Sequence, residues 1–126
     1  MFKQEISKSS RCNTILVVDD DPNMLKMIED IILDNALSAN IIQCEDPIRA
    51  IELYHQNKAG ITHVILDYNM PKDSGLELAK VLKENNPNLN IAIFSGYDLP
   101  NTESFENTVC QFIKKPDLDK ILNFIF

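Results

Sequence analysis

Hydrophobic positions along the chain fall into two alternating kinds of segment. Thr14 to Val18 (TILVV) is a continuous apolar run rich in β-branched residues, the pattern of a parallel strand covered on both faces. From Pro22 to Leu37, Met24, Met27, Ile28, Ile31 and Ile32 recur among polar Lys26, Glu29 and Asp30, a helical spacing whose apolar stripe is expected in the core. Asp21-Pro22 supplies an N-cap and a first helical residue. The alternation continues with a strand at Asn40–Cys44 and a helix from Asp46-Pro47 to about Asn57, with Ile48, Ile51 and Tyr54 facing inward. Val64-Ile65-Leu66 then forms a third apolar run, ending in Asp67. A turn-like segment with Pro71 leads to a helix over Gly75–Glu84 with Leu78, Val81 and Leu82 apolar; it stops before Asn85-Asn86-Pro87 because a residue preceding proline avoids the helical region. Ile91–Phe94 and Val109–Ile113 are the last two strands, and Asp117–Phe126 is a final helix with Leu118, Ile121, Leu122 and Ile125 apolar. Between those strands, Tyr97–Thr108 is interrupted by Pro100, Asn101 and Thr102; only SFEN suggests a short helix, and mobility is expected.

Five strands alternating with five helices imply an α/β domain built on one doubly wound, five-stranded parallel sheet, because parallel pairs need right-handed helical crossovers. Chemistry in such sheets gathers beyond the carboxyl ends of the strands. Those ends carry Asp19 and Asp20 (strand one), Asp67 (strand three), Ser95 (strand four) and Lys115, two residues past strand five. In the flavodoxin-like order 2-1-3-4-5 these five side chains meet in one pocket.

Composition narrows the class. The 126 residues fit a single core, with 44% hydrophobic and 25% charged residues, proportions of an ordinary globular protein. No apolar run approaches a membrane span. Residues 1–12 lack the apolar core of a signal peptide and read as a short polar extension before a domain at 13–126, so a cytoplasmic protein is expected. Cys12, Cys44 and Cys110 are odd in number and lack a CxxC pair, which argues against disulfides and zinc. A formal charge of −7 opposes unaided nucleic-acid binding and favours basic or cation-dependent partners.

Three crowded carboxylates repel unless a cation joins them or a pKa rises. Mg²⁺ suits them, since it takes oxygen ligands from one or two carboxylates and completes its shell with water and phosphoryl oxygens. Asp20 and Asp67 can ligate directly, the Asn69 backbone carbonyl can add a ligand, and Asp19 can act through water. Lys115 and the Ser95 hydroxyl can each donate to phosphoryl oxygens. Together these groups describe phosphoryl transfer, with Asp67 the nucleophile that becomes an acyl phosphate. The same crowding predicts that Asp20→Asn stabilises the metal-free form.

From about Asn13 to the C-terminus the chain resembles a response-regulator receiver domain, on ILVVDDDP, LDYNMPKDSG, IFSG and FIKKP in order and spacing. The resemblance implies that Asp67 is the phosphoacceptor, Asp19 and Asp20 the acidic magnesium pair, Ser95 the switch hydroxyl, Lys115 the phosphate-contacting lysine and Phe112 the switch aromatic. It implies a cis Lys115-Pro116 bond and phosphorylation-dependent remodelling of the face around strand five. Asn69 and Tyr97 are implied to tune acyl-phosphate lifetime. The donor would be a histidine kinase or histidine phosphotransfer protein, and the chain an acceptor with self-catalysed phosphotransfer and autodephosphorylation only, not an enzyme with an external substrate. Only 11 residues follow Lys115, so a stand-alone regulator signalling through a protein contact is expected.

Two other readings use the same residues. A haloacid-dehalogenase-type phosphatase finds its D-x-D spacing in Asp19-Asp20-Asp21 but leaves Asp67 without a role. A pseudo-receiver scaffold keeps the fold without phosphorylation. Asp21 alone reads as a helix cap, His55 and His63 as surface or edge residues, and Phe105, Phe112, Phe124 and Phe126 as core or, at the terminus, a partner surface.

Overall fold

The computed structural model describes residues 13–35, 39–68, 70, 75–96 and 111–126. Its elements are β1 (Thr14–Val18), α1 (Pro22–Asn35), β2 (Asn40–Cys44), α2 (Pro47–Gln56), β3 (Ile61–Leu66), α3 (Gly75–Asn85), β4 (Asn90–Ser95), β5 (Gln111–Lys114) and α4 (Leu118–Ile125). The strands form one parallel sheet in the order β2-β1-β3-β4-β5, as expected. Four helices stand among the described residues; the segment in which SFEN suggests a fifth lies outside them, as do Asn69, Tyr97, Phe105, Val109, Cys110, Cys12 and the whole 1–12 extension. No helix of the described residues is long and apolar enough to cross a membrane.

Period-two alternation divides the sheet between two apolar layers. Leu16, Val18, Val64, Leu66 and Ile91 pack with Ala50 and Tyr54 of α2 and Leu78, Ala79 and Leu82 of α3. Ile15, Val17, Ile65, Ala92, Phe94 and Ile113 pack with Leu25, Ile28 and Ile32 of α1 and Ile121 and Ile125 of α4. The helices start where expected. Asp21 accepts from the Asn23 N–H at 2.9 Å and caps α1; Asp46 accepts from Ile48 N–H at 2.9 Å, and Asp117 from Lys120 N–H at 3.3 Å. Each satisfies an orphan donor of a first turn.

Burial corrects three inward assignments. Met27 is 44% exposed, Ile48 59% and Val81 36%, because each helix has more apolar positions than its contact with the sheet uses. In α1 the buried stripe is Leu25, Ile28 and Ile32, with Met24 and Ile31 at its margin. In α2 it is Pro47, Ala50 and Tyr54, which leaves Ile48 turned outward from the first turn. His63 is no surface residue: half-buried on β3, its ring lies edge-on to Phe124 with centroids 5.2 Å apart, and burial pushes its pKa below the ordinary histidine value. Phe126 is 58% exposed, whereas Phe124 packs against the core.

The Tyr54 side chain is completely buried, and its hydroxyl has no hydrogen-bond partner among the described residues. An unsatisfied buried hydroxyl costs about 1–3 kcal/mol. Tyr54→Phe keeps the packing and removes that cost, so the variant is expected to be more stable by about 1 kcal/mol. Urea unfolding at neutral pH checks this; a clearly lower midpoint would show that the hydroxyl has a role in the fold.

Candidate phosphoacceptor site

The sheet's hydrogen-bond ladder runs one residue past β1, β3 and β5 and so fixes the backbone of the acids and the lysine. Asp67 N–H donates to the Val18 carbonyl at 2.9 Å, Asp19 N–H to the Cys44 carbonyl at 3.0 Å, and Lys115 N–H to the Ser95 carbonyl at 2.8 Å. Val18 registers with Leu66, Leu66 with Ile93, and Ser95 with Lys114, so the residues that follow emerge at one edge. β5 extends to Lys114, which places Lys115 directly after the strand and not two residues beyond it. Ser95 is the last residue of β4 and wholly buried, inside the sheet rather than past its tip. The Lys115-Pro116 bond is cis. Phe112 lies on β5, half-buried.

Asp19 and Asp67 are buried and Asp20 is exposed. The Lys115 ammonium bridges the two buried acids, 3.0 Å from Asp19 Oδ2 and 3.2 Å from Asp67 Oδ1. Asp19 Oδ1 also accepts from the Asp21 N–H at 2.9 Å. One lysine does not balance three carboxylates. Burial, with the Asp19 charge beside it, pushes the Asp67 carboxyl up to about 6 against the opposing pull of Lys115. Burial likewise raises Asp19. For Lys115, burial acts downward but the two carboxylates outweigh it and raise the ammonium above its ordinary value.

The acids fit a magnesium ion by their donor set. Ligand oxygens of Asp19, Asp20 and Asp67 lie within 4.8 Å of one another, and oxygens on one Mg²⁺ at about 2.1 Å can be no more than about 4.2 Å apart. A small closure, or one acid reaching through water, completes such a site. The Asn69 carbonyl expected as a further ligand lies outside the described residues. Asp21, the second acid of the D-x-D spacing, has its carboxylate on the α1 N-terminus instead.

Two neighbours of the site were not singled out from sequence. A Cβ on Gly75 would overlap the carbonyl oxygen of Asp67 and crowd the Tyr68 backbone, while the Gly75 N–H donates to the Tyr68 carbonyl at 2.8 Å. Helix α3 therefore begins in contact with the backbone of Asp67, and only glycine allows that approach. A lone glycine between a strand-end acid and a helix was the available signal. Phe94, read as an ordinary core residue, lies beneath Lys115, with Nζ 5.8 Å from the ring centroid.

The profile of the response regulator receiver domain matches residues 15–126. The chain belongs to this family. Among curated relatives, the receiver is 30% identical over 114 residues to ARR21 of Arabidopsis thaliana, named as a two-component response regulator, and covers 87% of this chain but 18% of that protein. It is 28% identical over 110 residues to the response regulator protein TodT of Pseudomonas putida, covering 86% and 47% of the two chains. The receiver thus spans less than half the length of these relatives. Among solved structures, it resembles a chain of the CheX-CheY-BeF3-Mg²⁺ complex from Borrelia burgdorferi at 26% identity and a TM-score of 0.80, covering 90% of this chain and 86% of that one. A receiver domain protein from Clostridium thermocellum superimposes with a TM-score of 0.82 at 23% identity, covering 90% of each chain, a likeness of fold.

Two predictions follow from this geometry. Because the folded pKa of Asp67, about 6, lies above the ordinary 3.8, its contribution to stability is fully present below pH 3.8 and is lost as pH rises through 6. Asp19 acts in the same direction. In EDTA at pH 7.5, Asp67→Asn is therefore expected to raise unfolding stability by on the order of 1–2 kcal/mol, and the gain should shrink at pH 4; urea titrations at the two pH values decide. Asp20, though exposed, adds its charge to the repulsion on both buried acids, so Asp20→Asn is expected to stabilise the metal-free form by a smaller margin. Second, Gly75→Ala should lower stability by about 1–3 kcal/mol. Gly96→Ala, where a Cβ meets nothing within 4 Å, should leave the urea midpoint nearly unchanged.

Proposed function

We propose that this receiver accepts a phosphoryl group on Asp67 from the phosphohistidine of a histidine kinase or histidine phosphotransfer protein. The observation that carries this reading is the Asp67 carboxylate held at the sheet edge between the acid cluster and the Lys115 ammonium, 3.2 Å away. An Asp67 oxygen attacks phosphorus, an acyl phosphate forms as the P–N bond breaks, and the electron pair leaves with the imidazole, which is protonated. Asp19, Asp20 and Asp67 would hold Mg²⁺, which would supply charge neutralisation for the phosphoryl oxygens. Lys115 exchanges its bond to Asp67 for one to a phosphoryl oxygen, and the Ser95 hydroxyl donates to another. Water later hydrolyses the acyl phosphate, so the chain turns over only its own adduct and is not an enzyme with an external substrate.

Output follows from Ser95 and Phe112. Register pairs Ile93 with Phe112 and Ser95 with Lys114, so Ser95 and Phe112 share one face of adjacent strands. Movement of the Ser95 hydroxyl towards the phosphoryl group would open room for Phe112 to turn inward, a shift between two states of the β5 face. A downstream protein reads that face. The Borrelia relative is found in a complex with a protein partner, BeF3 and Mg²⁺, which supports a protein readout here. The reading also places the protein in the cytoplasm, where ATP feeds the kinase.

Incubation with a small phosphodonor and Mg²⁺, followed by phosphosite mapping by mass spectrometry, tests the proposal. A labile adduct on Asp67 is expected, absent in Asp67→Asn and in EDTA. Millimolar Mg²⁺ should also raise the urea midpoint of the wild type. A folded protein with no adduct and a midpoint indifferent to Mg²⁺ would instead mark a non-phosphorylated scaffold.

A further inference from the structure

Lys115 has to cross the sheet to do its work. It follows β5 at the sheet's edge, β4 lies between β5 and β3, and β1 lies beyond β3. Its Nζ nevertheless reaches Asp67 after β3 and Asp19 after β1, at 3.2 and 3.0 Å. The side chain therefore passes over the tip of β4. Ile113 registers with Phe94, and Lys115 is two residues beyond Ile113, so alternation puts Lys115 on the same face as Phe94. The next position in that alternation, just past the end of β4, is Gly96, which adds no side chain between them. The Phe94 ring is 1% exposed and anchored in the layer that holds Ile113 and Ile121. The Lys115 ammonium stands 5.8 Å from its centroid.

An aliphatic side chain would fill this core position equally well but would offer the ammonium nothing. An aromatic face attracts a cation within about 6 Å, and more strongly where water is scarce; here the Lys115 side chain is 19% exposed. Over the ring face the attraction changes only gradually as the cation shifts sideways, whereas a hydrogen-bonding floor would tie the ammonium to one position. We infer that Phe94 is a positioning residue: the face of its ring holds the Lys115 ammonium over β4 between Asp19 and Asp67. On the proposed function, which the second half of this inference rests on, the ring lets the ammonium pivot from Asp67 Oδ1 to a phosphoryl oxygen without entering water.

The test has one arm that needs no phosphoryl transfer. In metal-free protein, ring current from Phe94 should shift the Lys115 ε-methylene protons upfield; the shift should vanish in Phe94→Leu and persist in Phe94→Tyr. Ordinary ε-proton positions in the wild type would overturn the inference, whether or not the chain is phosphorylated. The second arm replaces Phe94 with mono-, di- and trifluorophenylalanine, which weaken the ring's negative face at nearly constant volume. Initial rates of Asp67 phosphorylation by phosphoramidate with Mg²⁺ should fall stepwise, to about fivefold below wild type, with Phe94→Leu at the low end and Phe94→Tyr near wild type. Equal rates across a fluorinated series of unchanged thermal stability would reject the role in transfer. No phosphorylation of the wild type would sink the proposed function, leaving the ring-current result to decide the positioning of Lys115 alone.

Discussion

The Lys115 ammonium between Asp19 and Asp67 is the contact on which the site depends. Two buried carboxylates next to an exposed third could not share the sheet edge without a cation, and removing that lysine would leave buried charge uncompensated. Its geometry in turn demands the strand order. Only when β1, β3, β4 and β5 are neighbours can a residue after β5 reach acids after β3 and β1, and only a side chain as long as lysine spans the intervening β4.

The same sheet separates two tasks by face. Ile15, Val17 and Ile65 lead to Asp19 and Asp67 on the layer that α1 and α4 cover, with Phe94 and Lys115 on that side too. Ser95 alternates to the opposite side, in line with Ile93 and, across the β4–β5 register, with Phe112. Consecutive residues of β4 thus address different layers.

Much of this was legible in the sequence because period and chain order carry it. β1 and β2 fall on the expected residues, and the acids stand at the strand ends where apolar runs give way to charge. What periodicity could not settle is how wide a contact each helix makes, so Met27, Ile48 and Val81 read as core although the sheet has no room for them. Nor does a one-dimensional pattern report close approach. Gly75 read only as the first residue of a helix until the position of Asp67 showed that α3 starts against its carbonyl. Phe94 looked like any strand phenylalanine, because its relation to Lys115 exists only once β4 and β5 are paired. Ser95 was placed past a strand tip because a serine reads as an end signal, whereas the ladder continues through it.

The unbalanced charge also bears on how such a site can respond. Stability in this domain comes from two apolar layers, and the acid edge draws against it: burial raises the pKa of both Asp19 and Asp67 even with Lys115 in place. A ligand shifts an equilibrium only by its differential affinity for the states involved. A site with its charges already matched would gain little from a divalent cation. Here a cation would relieve an existing repulsion, so the crowding of Asp67 and Asp19 in the free protein favours its binding. The residues that hold the acids in that crowded arrangement are backbone and packing elements, the ladder bonds from Val18 and Cys44 and the close approach of Gly75. None of these titrates, which leaves Lys115, bonded to both acids, as the charged partner that any change of charge at this edge meets first.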